Sequence, residues 1–151
     1  MTLRRSTAEL TREAQDWGDA RPKVFLDYYT GVQPASADTA PSGTLLVTFS
    51  KSGAYSSSSD GFSFGTASGG VIARTAAESV YGTAGDSGTV GWARLRAYAD
   101  AGTTNTTDIR QDYSVGLAGS GADIIISSNT ITSGTVYPMG DFTHTCSNIL
   151  G

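Results

Sequence analysis

Ser87 lies in the tetrad GDSG at positions 85–88, the run that carries the nucleophile of chymotrypsin-like serine proteases. Serine catalysis needs a base within hydrogen-bond reach and an acid that orients the base. The single histidine, His144, follows the serine, the reverse of that family's order, and 151 residues are short for two barrels. The tetrad therefore reads as a polar turn between strands. Ser120, in the GSG at 119–121, lacks the strand-to-helix context of a nucleophile elbow. His144 and Cys146 could both ligate zinc, but a structural zinc site wants four ligands with recognisable spacing. Asp86, Asp100, Asp108, Asp112 and Asp123 show no calcium-loop spacing and read as turn and cap residues. No phosphate-cradling glycine loop is followed by a lysine. The expectation is a protein that is not an enzyme and carries no cofactor and no metal.

One constellation survives this screen. Trp92, Tyr98 and Tyr113, with Arg94, Arg96 and Arg110, would make an aromatic–basic surface. Such a set stacks on sugars or bases, or forms a protein interface, where Trp, Tyr and Arg are enriched. Plain sheet packing with the arginine heads reaching outward ranks first, an interface second and ligand binding third. The interface candidates are Trp92, Arg94, Arg96 and Tyr98, with Leu3, Arg5, Leu10, Arg12 and Trp17 from the N-terminus.

Residues 3–17 form the one good helix candidate. Leu3, Leu10, Ala14 and Trp17 fall near one side, and Arg5 with Glu9 and Arg12 with Asp16 are i,i+4 opposite-charge pairs. Gly18 suits the position just past the helix end, with Pro22 beyond it. The apolar stripe is thin, so the helix must dock on the domain or on a neighbouring subunit. Residues 23–29 (KVFLDYY) carry apolar bulk on both faces, as a central or covered strand does. Residues 44–50 (TLLVTFS) and 89–99 (TVGWARLRAYA) are further strands; short ones are expected at 62–65 and 70–74. Residues 75–87 read equally as helix or strand. The segments 30–43, rich in Pro and small polar residues, and 51–61, with four consecutive serines, are loops. Residues 108–115 and 123–132 flank a bend with Gly116, Gly119 and Gly121, which predicts an antiparallel hairpin. Pro138 marks the last strand region, 134–144, as an edge or a bulge.

Nineteen glycines and 16% charged residues suit a loop-rich β protein, and the glycines have no three-residue period, which excludes collagen. The expected class is mainly β: an antiparallel β-sandwich or jelly-roll-like domain at 23–151, with a short N-terminal α-helical arm at 1–22. A net charge of −4 argues against direct nucleic-acid binding, which depends on neutralising phosphates. No apolar run approaches membrane-spanning length. The N-terminus has the basic start of a signal peptide without its apolar stretch, and a lone cysteine fits synthesis in a reducing cytosol.

Several blocks in order resemble a known family. They are KVFLDYYTGVQPASADTAPSGTLLVTFS at 23–50, FSFGTASGG at 62–70, GTVGWARLR at 88–96 and YSVGLAGSGADIIISSNTIT at 113–132. This is similar to small structural proteins of tailed bacteriophages and prophages, with their "YsGtrPasadaaptGtLLatl", "GtatWfRv" and "dGsVgtsGaDlnlnttsi" blocks. The chain departs from that pattern at 51–60, 99–106 and 146–151. The resemblance implies a virion component made in the host cytoplasm, with no catalytic residues to carry over. The leading expectation is a capsid decoration (cement) protein that binds the outer shell. A neck, collar or tail adaptor subunit is the alternative, and a carbohydrate-binding host-attachment module, motivated by the aromatics expected to be exposed around Trp92 and Tyr98, is a third. The implied partners are the major capsid protein or other virion proteins, and further copies in a homo-oligomer.

Overall fold

A computed structural model describes residues 4–147. β1 (Phe25–Thr30) is the middle strand, flanked antiparallel by β2 (Leu45–Lys51) and β5 (Gly88–Arg96). Its near-continuous bulky run allows this, because both of its faces are covered. Beyond β2 come β4 (Val80–Thr83) and β9 (Val136–Pro138); beyond β5 come β6 (Gln111–Gly116) and β7 (Ile124–Ile125). β8 (Thr130–Ile131) pairs with the start of β5, while β3 (Val71–Ala73) and β10 (Thr143–Thr145) make a separate antiparallel pair. The protein is mainly β, with one short N-terminal helix and a curled, sandwich-like sheet.

Strand alternation sorts side chains into two layers. Leu26, Tyr28, Val47, Phe49, Ala93 and Leu95 point to the concave side and form the main core with Phe62 and Phe142. The Tyr28 and Phe49 rings meet edge to face at 4.8 Å. Each large side chain buried there contributes roughly 1.5–3 kcal/mol. Phe25, Asp27, Tyr29, Trp92, Arg94 and Arg96 take the opposite parity.

α1 runs Thr7–Asp19, four residues later at its start than the expected 3–17, because Ser6 caps it by accepting the Glu9 N–H at 3.2 Å. Gly18 lies inside the helix, and Ala20 is the C-cap. A Cβ on Gly18 would sit 2.4 Å from Ile72 Cδ1, so glycine lets the helix press onto β3. Ala14, Ala67 and Ile72 make a second small core there, edged by Trp17 and Phe64.

The expected hairpin is corrected. β6 and β7 run parallel, Val115 opposite Ile124 and Gly116 opposite Ile125. The connecting residues fold back under β6 instead of reversing beside it. Gly119 and Gly121 adopt φ of 84° and 74°, and Ser120 tucks against Gly116 so closely that a Cβ there would meet its Oγ at 2.3 Å. Asp123 then accepts the Ser114 N–H at 2.9 Å, which fixes where β7 starts. The single run expected at 123–132 is also divided into β7 and β8. Elsewhere the ambiguous 75–87 contains β4, Phe62 and Phe64 make only isolated bridges, and Pro138 lies on the edge strand β9.

Candidate functional site

The aromatic and basic residues of β5 do come together, but facing inward. Trp92 and Arg94 are 0% exposed and Arg96 is 8% exposed, so these three interface candidates form no surface. The reason is the cross-strand register, which sets Asp27 of β1 opposite Arg94 and Phe25 opposite Arg96. The face of the sheet opposite the main core is covered by three loops, at 31–44, 52–61 and 97–110, which Arg94, Arg96 and Arg110 bind.

Three ion pairs do this. Arg94 clasps Asp112 through Nε and Nη2 at 2.7 and 2.8 Å, and its Nη1 donates to the Thr39 carbonyl at 2.9 Å. Arg96 pairs with Asp27 and donates to the Tyr55 hydroxyl at 2.9 Å. Arg110 pairs with Asp100, reaches Asp108 at 3.1 Å, and donates to the carbonyls of Thr103, Ala37 and Asp38. Planar guanidinium groups with five donors suit this task, since one head can bind a carboxylate and a loop carbonyl together.

Aromatic rings fill the space between the pairs. Tyr29 stacks on Trp92 at 4.6 Å, and Trp92 Nε1 donates to the Ser42 carbonyl at 3.3 Å. Phe25, Tyr55 and Tyr98 form a ring cluster under the 52–61 loop, with Tyr98 donating to the Ser56 carbonyl. Burial would lower the Arg96 pKa, but Asp27 and Tyr55 outweigh it and raise the value above that of free arginine. Burial and then the Asp27 charge push the Tyr29 hydroxyl well above its ordinary value. Burial works against the Asp100 carboxylate, yet Arg110 and the Gly102 N–H keep its pKa low. Arg96 and Asp100 thereby stay charged and the Tyr29 hydroxyl stays neutral near pH 7, as a clamp requires.

The other sequence candidates scatter. Arg5 pairs with Glu13 and donates to the Ser147 carbonyl, Leu10 is buried, Arg12 is exposed and Trp17 is half-buried. Leu3 lies outside the described residues. Ser87 occupies the β4–β5 turn, where its hydroxyl accepts the Ser133 N–H at 2.9 Å. His144 stacks on Trp17 with ring centroids 4.1 Å apart, and its Nε2 lies 3.7 Å from Cys146 Sγ. Among the described residues no three His, Cys, Asp or Glu side chains are grouped to hold a metal, and no helix is long and apolar enough to cross a membrane.

Asp27, Tyr55, Asp100 and Asp112 are the members that reading the sequence missed. Asp27 carried a usable signal, a lone carboxylate on an otherwise aromatic strand face. The partners in the loops carried none, because only the fold brings them over β5. The chain matches no family model, no curated protein and no solved structure.

Proposed function

We propose that the chain is a non-enzymatic bacteriophage virion protein, a capsid decoration protein that binds the outer shell and stabilises it. The resemblance of the 23–50, 88–96 and 113–132 blocks motivates the reading. The observation that carries it is the clamp. Three buried arginine–aspartate pairs join β5 to β6 and β1 and close the 97–110 loop, and the arginines' remaining donors hold the loops around 39 and 55, a construction that suits a rigid body keeping its outline under load. Many copies seated across capsid seams would stabilise the assembled shell by mass action. The sugar-binding alternative loses the buried Trp92 as a stacking ring and keeps the half-buried Tyr98 beside the exposed Tyr55.

Copy number tests this. Particles from the phage or prophage that encodes the chain are purified and the chain quantified by mass spectrometry against the major capsid protein. A ratio approaching that of the capsid protein is expected. A ratio matching portal or tail-tube proteins would move the chain to the neck or tail, and absence from the particle would end the virion reading.

A further inference from the structure

The curled sheet does not close. Its order runs from β7 at one end to β9 at the other, and these two ends approach each other without pairing among the described residues. Two clefts open here, one in this gap and one beside it between β6 and β10. One, of about 320 Å³, is lined on one side by Ile125, Ile126 and Ser128 and on the other by Tyr137 and Met139, with Tyr28 and Phe49 among its walls. The other, of about 500 Å³, lies between Gln111, Tyr113 and Asp123 on one wall and residues 141–145 on the other. Both are lined by Ile125, and their second walls are consecutive in the chain, so they form one seam along 137–145.

The walls are strand edges with backbone groups turned into the gap. Ser114 directs its N–H away from β5, to the Asp123 carboxylate, so by strand alternation Asp112 turns its N–H and C=O the same way. On the far wall, Thr135 and Met139 bond back to Ala84 and Val80 of the β4 side. Alternation then leaves the Val136 N–H and C=O and the Pro138 C=O pointing outward. Ile125, which lines both clefts, is 51% exposed, and Val136, one residue before the far wall begins, is 55% exposed.

The seam is also polarised. The smaller cleft has no charged residue in its lining. The larger one carries two exposed carboxylates, Asp123 and Asp141. Two cations border the seam without lining the larger cleft: Arg21, whose guanidinium lies 4.3 Å from the Trp17 ring centroid and donates to the Trp17 carbonyl, and Arg74, whose Nε donates to the Gly140 carbonyl at 3.0 Å.

We propose that this seam is a docking groove for an extended polypeptide segment of a partner protein, apolar at alternate positions and basic at one end. The segment's apolar side chains enter the smaller cleft over Tyr28 and Phe49. Its backbone meets the outward-facing groups of Asp112, which sits between the lining residues Gln111 and Tyr113, and the outward-facing carbonyl of Pro138. Its Lys or Arg residues face Asp123 and Asp141. This is recognition by strand addition, in which main-chain bonds hold the segment and alternate side chains select it. The inference stands on the gap and its charge and does not require the virion reading.

The probe is a fluorescein-labelled Thr-Val-Thr-Val-Thr-Val-Thr-Lys-Lys peptide, titrated with the full chain by fluorescence anisotropy. A counterpart ending in Glu-Glu and one with the central valine replaced by proline are run beside it. Saturable binding of the lysine peptide is expected, with binding at least about tenfold weaker for both counterparts, about 1.4 kcal/mol. Ile125→Lys and Asp141→Lys should each weaken it by a similar factor. Both side chains are exposed, so the fold should persist; Pro138→Lys, at an exposed residue of the opposite wall, gives the same reading if either variant unfolds. Absence of saturable binding, indifference to the peptide's terminal charge, or indifference to the rim substitutions would each overturn the proposal. Sedimentation of the free chain as a dimer that Ile125→Lys dissolves would also overturn it, assigning the seam to a second copy.

Discussion

Arg94 and Asp112 are direct cross-strand partners on β5 and β6, joined by two parallel hydrogen bonds of 2.7 and 2.8 Å with side chains 0% and 5% exposed. Removing one member leaves a buried charge without a partner, which costs about 3–5 kcal/mol, whereas an apolar pair of similar volume is often neutral or stabilising. Asp112→Ala should therefore destabilise by about that amount, and Arg94→Met with Asp112→Leu should recover most of it. Urea unfolding of the single and double variants checks this. Additive losses would show that the pair is not coupled.

Gly91 stands where the β1–β5 register slips, between the Tyr29–Trp92 and Thr30–Val90 pairs. A Cβ there would lie 1.8 Å from the Gly31 carbonyl oxygen, a backbone atom with little freedom to move. Gly91→Ala should force β1 and β5 apart and cost at least about 1–3 kcal/mol, the range for overpacking. A thermal melt unchanged from that of the parent chain would refute the tight approach.

The Trp17–His144 stack makes stability depend on mild acid. Burial first, and then Arg21, lowers the His144 pKa below its ordinary 6.5. The unfolded chain therefore takes up the proton at higher pH than the folded one, and protonation favours unfolding. Stability should be at its full value above about pH 6.5 and fall as pH drops through the lowered folded pKa. Glu78 and Asp100 also have lowered values, so they titrate below this window. His144→Phe keeps the ring stack and should flatten the profile between pH 7.5 and 5.5, read from urea midpoints.

Gly18 provides the closest approach of α1 to β3. Gly18→Val would drive a branched side chain into Ile72, lifting the last helical turn and with it Trp17, whose Nε1 bonds to Gln111 at 2.9 Å. A blue-to-red shift of tryptophan emission and a lower melting temperature are expected. Ser6→Ala, at the other end, removes the N-cap and should cost only about 0.5–2 kcal/mol without moving Trp17. Equal spectral effects from the two substitutions would contradict this division.

Periodicity and backbone chemistry made part of this fold legible in the residues alone. The two-faced bulk of 23–29 announced a central strand, and alternation in 89–99 sorted Ala93 and Leu95 from Trp92, Arg94 and Arg96. Pro138, without an N–H, marked an edge or a bulge, and an edge is what formed. These are local consequences of side-chain direction and of one missing donor. Tertiary structure alone decided the rest. Whether the arginine face of β5 met water or a roof depended on loops 39, 55 and 100 closing over it, and nothing local to those loops records their destination. The parallel β6–β7 pairing turned on a loop folding under its own strand, although the glycines that permit it permit a hairpin equally well. The open seam between β7 and β9 is a property of how far the whole sheet curls. That is set by the summed twist of seven strands and the packing between them, and no single stretch of residues encodes it.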